Sequence, residues 1–94
     1  MSENGAVVIY TTRFCPYCIA ARRLLQHKEV DYTDIAVDGD TEARARLEQQ
    51  TGRSTVPQIW VGKIHVGGYD ELAMLEKQGE LDSLLQQAAG FKGN

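Results

Sequence analysis

Ala6-Val7-Val8-Ile9-Tyr10, followed by Thr11-Thr12-Arg13-Phe14-Cys15-Pro16-Tyr17-Cys18, is the stretch on which the fold turns. Its first five residues form a short β-branched and aromatic run, the pattern of a strand buried on both faces in the middle of a sheet. Thr11-Thr12-Arg13 reads as a polar turn. Pro16 suits the first helical position, where its missing N–H would have no intrahelical partner, and good helix formers continue to about Lys28. Tyr17, Ala21, Leu24 and Leu25 make the apolar stripe of that helix. The two cysteines of the chain, Cys15 and Cys18, therefore sit at the handover from strand to helix.

The remaining chain continues the alternation. Asp31 to Val37 carries Tyr32, Ile35 and Val37 among polar residues and predicts a strand, closed by Asp38-Gly39-Asp40. A second helix is expected from Thr41, with Ala43 and Leu47 inward, Arg44, Arg46 and Glu48 outward, and Gly52 at its end in the left-handed conformation. Pro57 to Val61 and Lys63 to Val66, separated by Gly62, predict a hairpin. Helix returns from about Tyr69 to Gln78, breaks at Gly79, and resumes with Leu81, Leu84, Leu85 and Ala88 at i, i+3, i+4, i+7. The order strand, helix, strand, helix, hairpin, helix implies an α/β fold with a parallel pair first and antiparallel strands added by the hairpin. No repeat or linker divides residues 1–94, so one domain is expected, structured over about 6–89 with a frayed tail at 90–94.

Composition narrows the function classes. Ten Lys and Arg against 13 Asp and Glu give a net charge of −3, which leaves no basic field for a nucleic acid backbone. The start Met1-Ser2-Glu3-Asn4-Gly5 lacks the basic and apolar segments of a secretory signal, and no apolar run is long enough to span a bilayer. The expectation is a soluble, cytoplasmic monomer with neither nucleic acid nor membrane as partner. Structural disulfides are rare in a reducing cytosol, so a close cysteine pair there points to catalysis, redox sensing or metal binding.

Cys15 at the helix start would place its sulfur where an N-cap oxygen sits, with the N–H groups of Tyr17 and Cys18 aimed at it. Free N–H groups and the helix dipole favour negative charge there, making thiolate available as nucleophile. Cys18 follows nearly one turn later on the same side, deeper and less exposed, placed to resolve a disulfide formed at Cys15. A zinc site would need two further ligands, and His27 and His65 lack the short spacing of a zinc finger. Neither histidine has an evident partner.

Cys15-Pro16-Tyr17-Cys18, Thr55-Val56-Pro57 and Gly67-Gly68-Tyr69-Asp70-Glu71, in that order, resemble the dithiol glutaredoxins over about Val7 to Leu85. The resemblance implies a thioredoxin-like fold, with a four-stranded mixed sheet flanked by helices. It also implies glutathione as reductant and co-substrate, and the reduction of protein disulfides and protein–glutathione mixed disulfides. Ribonucleotide reductase is the protein substrate that the family suggests. In the family the proline of Thr55-Val56-Pro57 is cis, which leaves the Val56 backbone free to pair with glutathione as an added strand.

By the same resemblance, Thr55, Val56, Pro57, Gly68, Asp70 and Glu71 bind glutathione, the glycines allowing close backbone approach and the helix start offering N–H groups to a carboxylate. Asp70 or Glu71 could hold the glutathione ammonium; Glu71 stands where Asp is usual. Tyr17 either lies over the ligand or packs inward with Leu24 and Leu25, and the motif favours its partial exposure. Family members often carry lysine at the position of Thr12, so Arg13 or Arg44 is left to meet the glycyl carboxylate, and Arg44 could equally pair with Glu48. Arg53 reads as loop surface, and Trp60 as a core residue packed against a helix. The competing function is a non-catalytic module in which Cys15 of two subunits and two glutathiones hold an iron–sulfur cluster; no metal is otherwise expected.

Overall fold

In the computed structural model, which describes residues 7–88, alternation in the first strand separates two environments. Strand β1 (Val7–Thr11) buries Val7, Ile9 and Thr11 on one side and leaves Val8 and Tyr10 half-covered on the other. Helix α1 (Pro16–His27) follows with Pro16 in its first turn, then strand β2 (Thr33–Ala36) and helix α2 (Thr41–Thr51). Strands β3 (Gln58–Val61) and β4 (Ile64–Gly67) form the hairpin, before helices α3 (Tyr69–Lys77) and α4 (Leu81–Ala88). The sheet runs β2-β1-β3-β4, with β1 and β2 parallel and the other pairs antiparallel, so it is mixed. Ala6, expected to open the first strand, and the tail 90–94, expected to fray, lie outside the described residues.

The core forms on the face that Val7 and Ile9 share with Ile59 and Val61. Ala21 and Leu25 of α1, Leu72 of α3, and Leu81 and Leu85 of α4 close over it. Ile9, Leu25, Ile59, Leu72 and Leu81 are fully buried, and each such side chain contributes about 1.5–3 kcal/mol from leaving water. At the end of α1, Lys28 bridges Glu76 of α3 at 2.6 Å and Asp82 of α4 at 3.0 Å, tying the three helices of this face together. The opposite face is different in kind. Ala43, Leu47 and Gln50 of α2 share a cavity wall there with Tyr10 and Ile35.

Local signals explain the element ends. Asp40 caps α2, accepting the Ala43 N–H at 3.0 Å, and Gly52 ends it at φ 75°. Gly62 turns the hairpin at φ 63°, and Gly79 at φ 76° separates α3 from α4. The exposed edge strand β2 explains why its sequence alternates so weakly.

Two expectations need correction. Trp60 does not pack into the core, because Ile59 and Val61 take that face and alternation sends the indole to the other. There it meets Tyr10 edge-on at 5.5 Å and lies over His65 at 4.6 Å. Tyr17 does not extend the apolar stripe of α1; it is 60 % exposed, and Cys18 is buried in its stead with Ala21 and Leu25.

Candidate active site

Cys15 occupies the N-cap of α1 with extended backbone (φ −88°, ψ 121°), as the Pro16 signal requires. Its sulfur makes no capping bond to the helix N–H groups, contrary to expectation. Instead Cys15 Sγ faces the carbonyl of Val56 at 3.8 Å, because a loop from 41 residues away comes in against the helix end. Cys15 is partly exposed and Cys18 is fully buried, and both are free thiols. Burial pushes the Cys18 thiol up to about 11, reinforced by its bond to Cys15 and by that residue's charge, against a Thr12 N–H that favours the thiolate. Arg22, one turn further along α1, is held by Asp34 at 2.6 Å and by Thr11 at 2.9 Å, and its charge also favours a thiolate at Cys18.

Beside Cys15 opens a cleft of about 320 Å³. Tyr17 of α1 forms one side, Arg53 and Thr55 to Pro57 another, and Gly68 to Glu71 at the start of α3 the third. The Val56–Pro57 peptide bond is cis. Three successive carbonyls of the loop are each held by a different side chain. Thr51 Oγ1 donates to Arg53 O at 3.2 Å, Arg44 Nη2 to Ser54 O at 3.1 Å, and Gln58 Nε2 to Thr55 O at 3.0 Å. The fourth carbonyl, Val56, is the one that faces Cys15.

The third side rests on Glu71. Its Oε1 accepts the Gly68 N–H at 2.7 Å, and Arg53 reaches both its oxygens at 3.3 Å. The Arg53 bond first, then the Gly68 N–H, hold the Glu71 carboxyl below its usual range. Gly67 is required here: its φ is 118°, and a Cβ would stand 2.8 Å from Glu71 Oε1. Asp70 lines the cleft with no hydrogen bond or ion pair among the described residues.

The structure therefore gathers most of the expected glutathione residues: Tyr17, Thr55, Val56, Pro57, Gly68, Asp70 and Glu71 share one cleft beside Cys15. The two expected cations fall outside its lining. Arg13 is directed at Asp38, its Nε 3.8 Å from Oδ2, with the guanidinium 5.6 Å above the Phe14 ring. Arg44 pins the Ser54 carbonyl. Arg53, read from sequence as loop surface, is the cation in the cleft; the opposing Glu71, 18 residues on, was its only signal. His65 also has a partner after all, Gln58 Oε1 at 2.7 Å. Burial and the nearby Arg53 charge favour its neutral form. Among the described residues no group of three or more His, Cys, Asp or Glu could hold a metal ion.

A glutaredoxin family model matches residues 7–66. The chain is 60 % identical over 79 residues to a glutaredoxin of Pseudomonas aeruginosa, covering 84 % of this chain and 94 % of that one. It is 42 % identical over 80 residues to glutaredoxin 3 of Escherichia coli, covering 85 % and 96 %. Among solved structures, the solution structure of glutaredoxin from Brucella melitensis aligns with a TM-score of 0.78 at 44 % identity, over 89 % of this chain and 91 % of that one. The crystal structure of a buckwheat glutaredoxin–glutathione complex aligns with a TM-score of 0.86 at 27 % identity, over 95 % and 84 %. The four-stranded mixed sheet flanked by helices is thus the thioredoxin-like fold of these proteins.

Proposed function

The chain belongs to the glutaredoxin family and is an oxidoreductase, and from that premise we propose that it reduces protein–glutathione mixed disulfides and protein disulfides, with glutathione as reductant, through Cys15 and Cys18. The observation that carries this reading is the Val56 carbonyl 3.8 Å from Cys15 Sγ at the mouth of the cleft, with the second thiol buried behind. A glutathione whose sulfur reaches Cys15 can lay its own backbone along Val56, adding a short strand. Its ammonium then meets the free carboxylate of Asp70, and a carboxylate meets Arg53, released from Glu71.

On a glutathionylated protein, the Cys15 thiolate attacks the glutathione sulfur. The protein thiolate leaves and takes up a proton, and Cys15 carries glutathione. A second glutathione thiolate attacks that mixed disulfide, forming oxidised glutathione and restoring Cys15. On a protein disulfide, Cys15 first forms a mixed disulfide with the protein. Cys18 then loses its proton, attacks Cys15 Sγ and expels the protein thiolate, and two glutathiones later reduce the Cys15–Cys18 disulfide. Two of the influences that hold Cys18 protonated, its bond to Cys15 and the charge of Cys15, vanish once Cys15 is in a mixed disulfide. Cys18 is therefore easiest to ionise at the step that needs it.

The test is turnover of a glutathionylated peptide and of a protein disulfide with each cysteine replaced in turn. Cys15→Ser is expected to lose both activities, whereas Cys18→Ser keeps deglutathionylation and loses disulfide reduction. Loss of both in Cys18→Ser would defeat the two-route scheme.

A further inference from the structure

Gln58 is polar yet fully buried, directly after the cis proline of the cleft loop. Its amide is committed at both ends. Nε2 donates to Thr55 O at 3.0 Å, and Oε1 stands 2.7 Å from His65 Nε2. An amide that donates through nitrogen must accept through oxygen, so His65 Nε2 carries the hydrogen of that bond. The His65 ring in turn meets Trp60, directly opposite in the β3–β4 ladder, with ring centres 4.6 Å apart and planes tilted by 35°. A chain of contacts thus runs from the far face of the sheet, Trp60 to His65 to Gln58, and ends on the backbone of Thr55, one residue before the carbonyl that faces Cys15.

We propose that His65 is a positioning residue for the substrate cleft: by holding the Gln58 amide it fixes the Thr55 carbonyl and hence the register of the Val56 backbone against Cys15. This rests on the reading of the cleft as the glutathione site. Without the His65 donor, Gln58 Oε1 is a buried acceptor with no partner, an outcome costly enough to turn the amide and release Thr55. His65 touches neither thiol, so its effect falls on binding before chemistry.

The experiment is steady-state reduction of a glutathionylated peptide at saturating glutathione. His65→Phe keeps a ring over Trp60 and removes the donor; it should raise KM for the peptide about three- to tenfold, the loss of one hydrogen bond, with kcat within about twofold. His65→Gln, whose amide nitrogen can stand in for Nε2, should restore most of the loss. Gln58→Met should raise KM to the same extent, and the double variant His65→Phe with Gln58→Met should be no worse than either single one. A wild-type KM in His65→Phe, additive effects in the double variant, or a His65→Gln as impaired as His65→Phe would overturn the proposal. Should Gln58→Met not fold, the two His65 variants decide alone. If wild-type protein turns over the peptide and His65→Phe matches it, only the positioning role fails; if wild-type protein does not turn the peptide over, the glutathione reading itself fails and this proposal with it.

Discussion

Two walls of the same cleft are built on opposite plans. The thiol wall is a helix end, fixed by backbone geometry: Cys15 at the N-cap, Pro16 behind it, and Cys18 three residues on, fully buried. The facing wall is a loop and a helix start, fixed by side chains: Thr51, Arg44 and Gln58 on three carbonyls, and Glu71 on the Gly68 N–H. The difference assigns the work. Under the proposed function, residues of the first wall carry bonds that break and form, so their loss should fall on kcat; residues of the second set where a ligand lies, so their loss should fall on KM or on stability.

The strongest way to break that division is Cys15→Ser, expected to abolish turnover while S-methylglutathione still binds within about twofold of wild type, since about one weak contact is lost. A lost binding signal in the Trp60 fluorescence titration would show the walls to be inseparable. Next comes Gly67→Ala on the loop wall. Its positive φ and its clash with Glu71 should destabilise the fold by about 1–3 kcal/mol in urea unfolding, with turnover at saturating substrate preserved.

Alkaline titration, read against a Cys18→Ala control, probes the thiol wall. Cys18 is pushed up to about 11 in the folded state, so between the ordinary thiol value and that one the unfolded chain has lost a proton that the folded chain retains. Folding stability of the reduced protein should therefore fall as pH rises through that window, on the order of 2 kcal/mol in total. Denaturant midpoints across the window should show a shallower decline in Cys18→Ala. Least dramatic is Arg53→Met. Its pair with Glu71 is exposed and should contribute under about 1 kcal/mol to stability, whereas KM for a glutathionylated peptide should rise about three- to tenfold, by loss of a carboxylate partner. An unchanged KM would remove Arg53 from the ligand's reach.

The same division tracks what could be read from sequence. The thiol wall was legible because its determinants are local: a β-branched run, a proline in the first helical turn, two cysteines one turn apart. Gly52 and Gly62 marked the end of α2 and the hairpin turn for the same reason, each adopting a positive φ. The loop wall was legible only as a set of motif residues that resemble a family. Arg53 meets Glu71 across 18 residues, and Gln58 meets His65 across a hairpin whose register shifts between Ile59 and Trp60. No local period encodes either pairing. Trp60 illustrates the limit: alternation tells that its neighbours face the other way, but not which face the helices will cover. Cys15 illustrates the converse, since its N-cap place was local and its sulfur's direction was set by a distant carbonyl.

The three tethered carbonyls of the loop leave a chemical asymmetry behind. Acceptors at Arg53, Ser54 and Thr55 are occupied, while among the described residues no bond engages the N–H groups of Ser54, Thr55 or Val56. The loop thus presents the N–H donors of Ser54, Thr55 and Val56 together with a single untethered carbonyl, that of Val56 toward Cys15, and its amide protons should trade with solvent deuterium quickly although the carbonyls of Arg53, Ser54 and Thr55 are pinned. A docked peptide backbone would cap Val56 first, so the slowing of that one amide's exchange is a direct gauge of occupancy, free of any need for turnover.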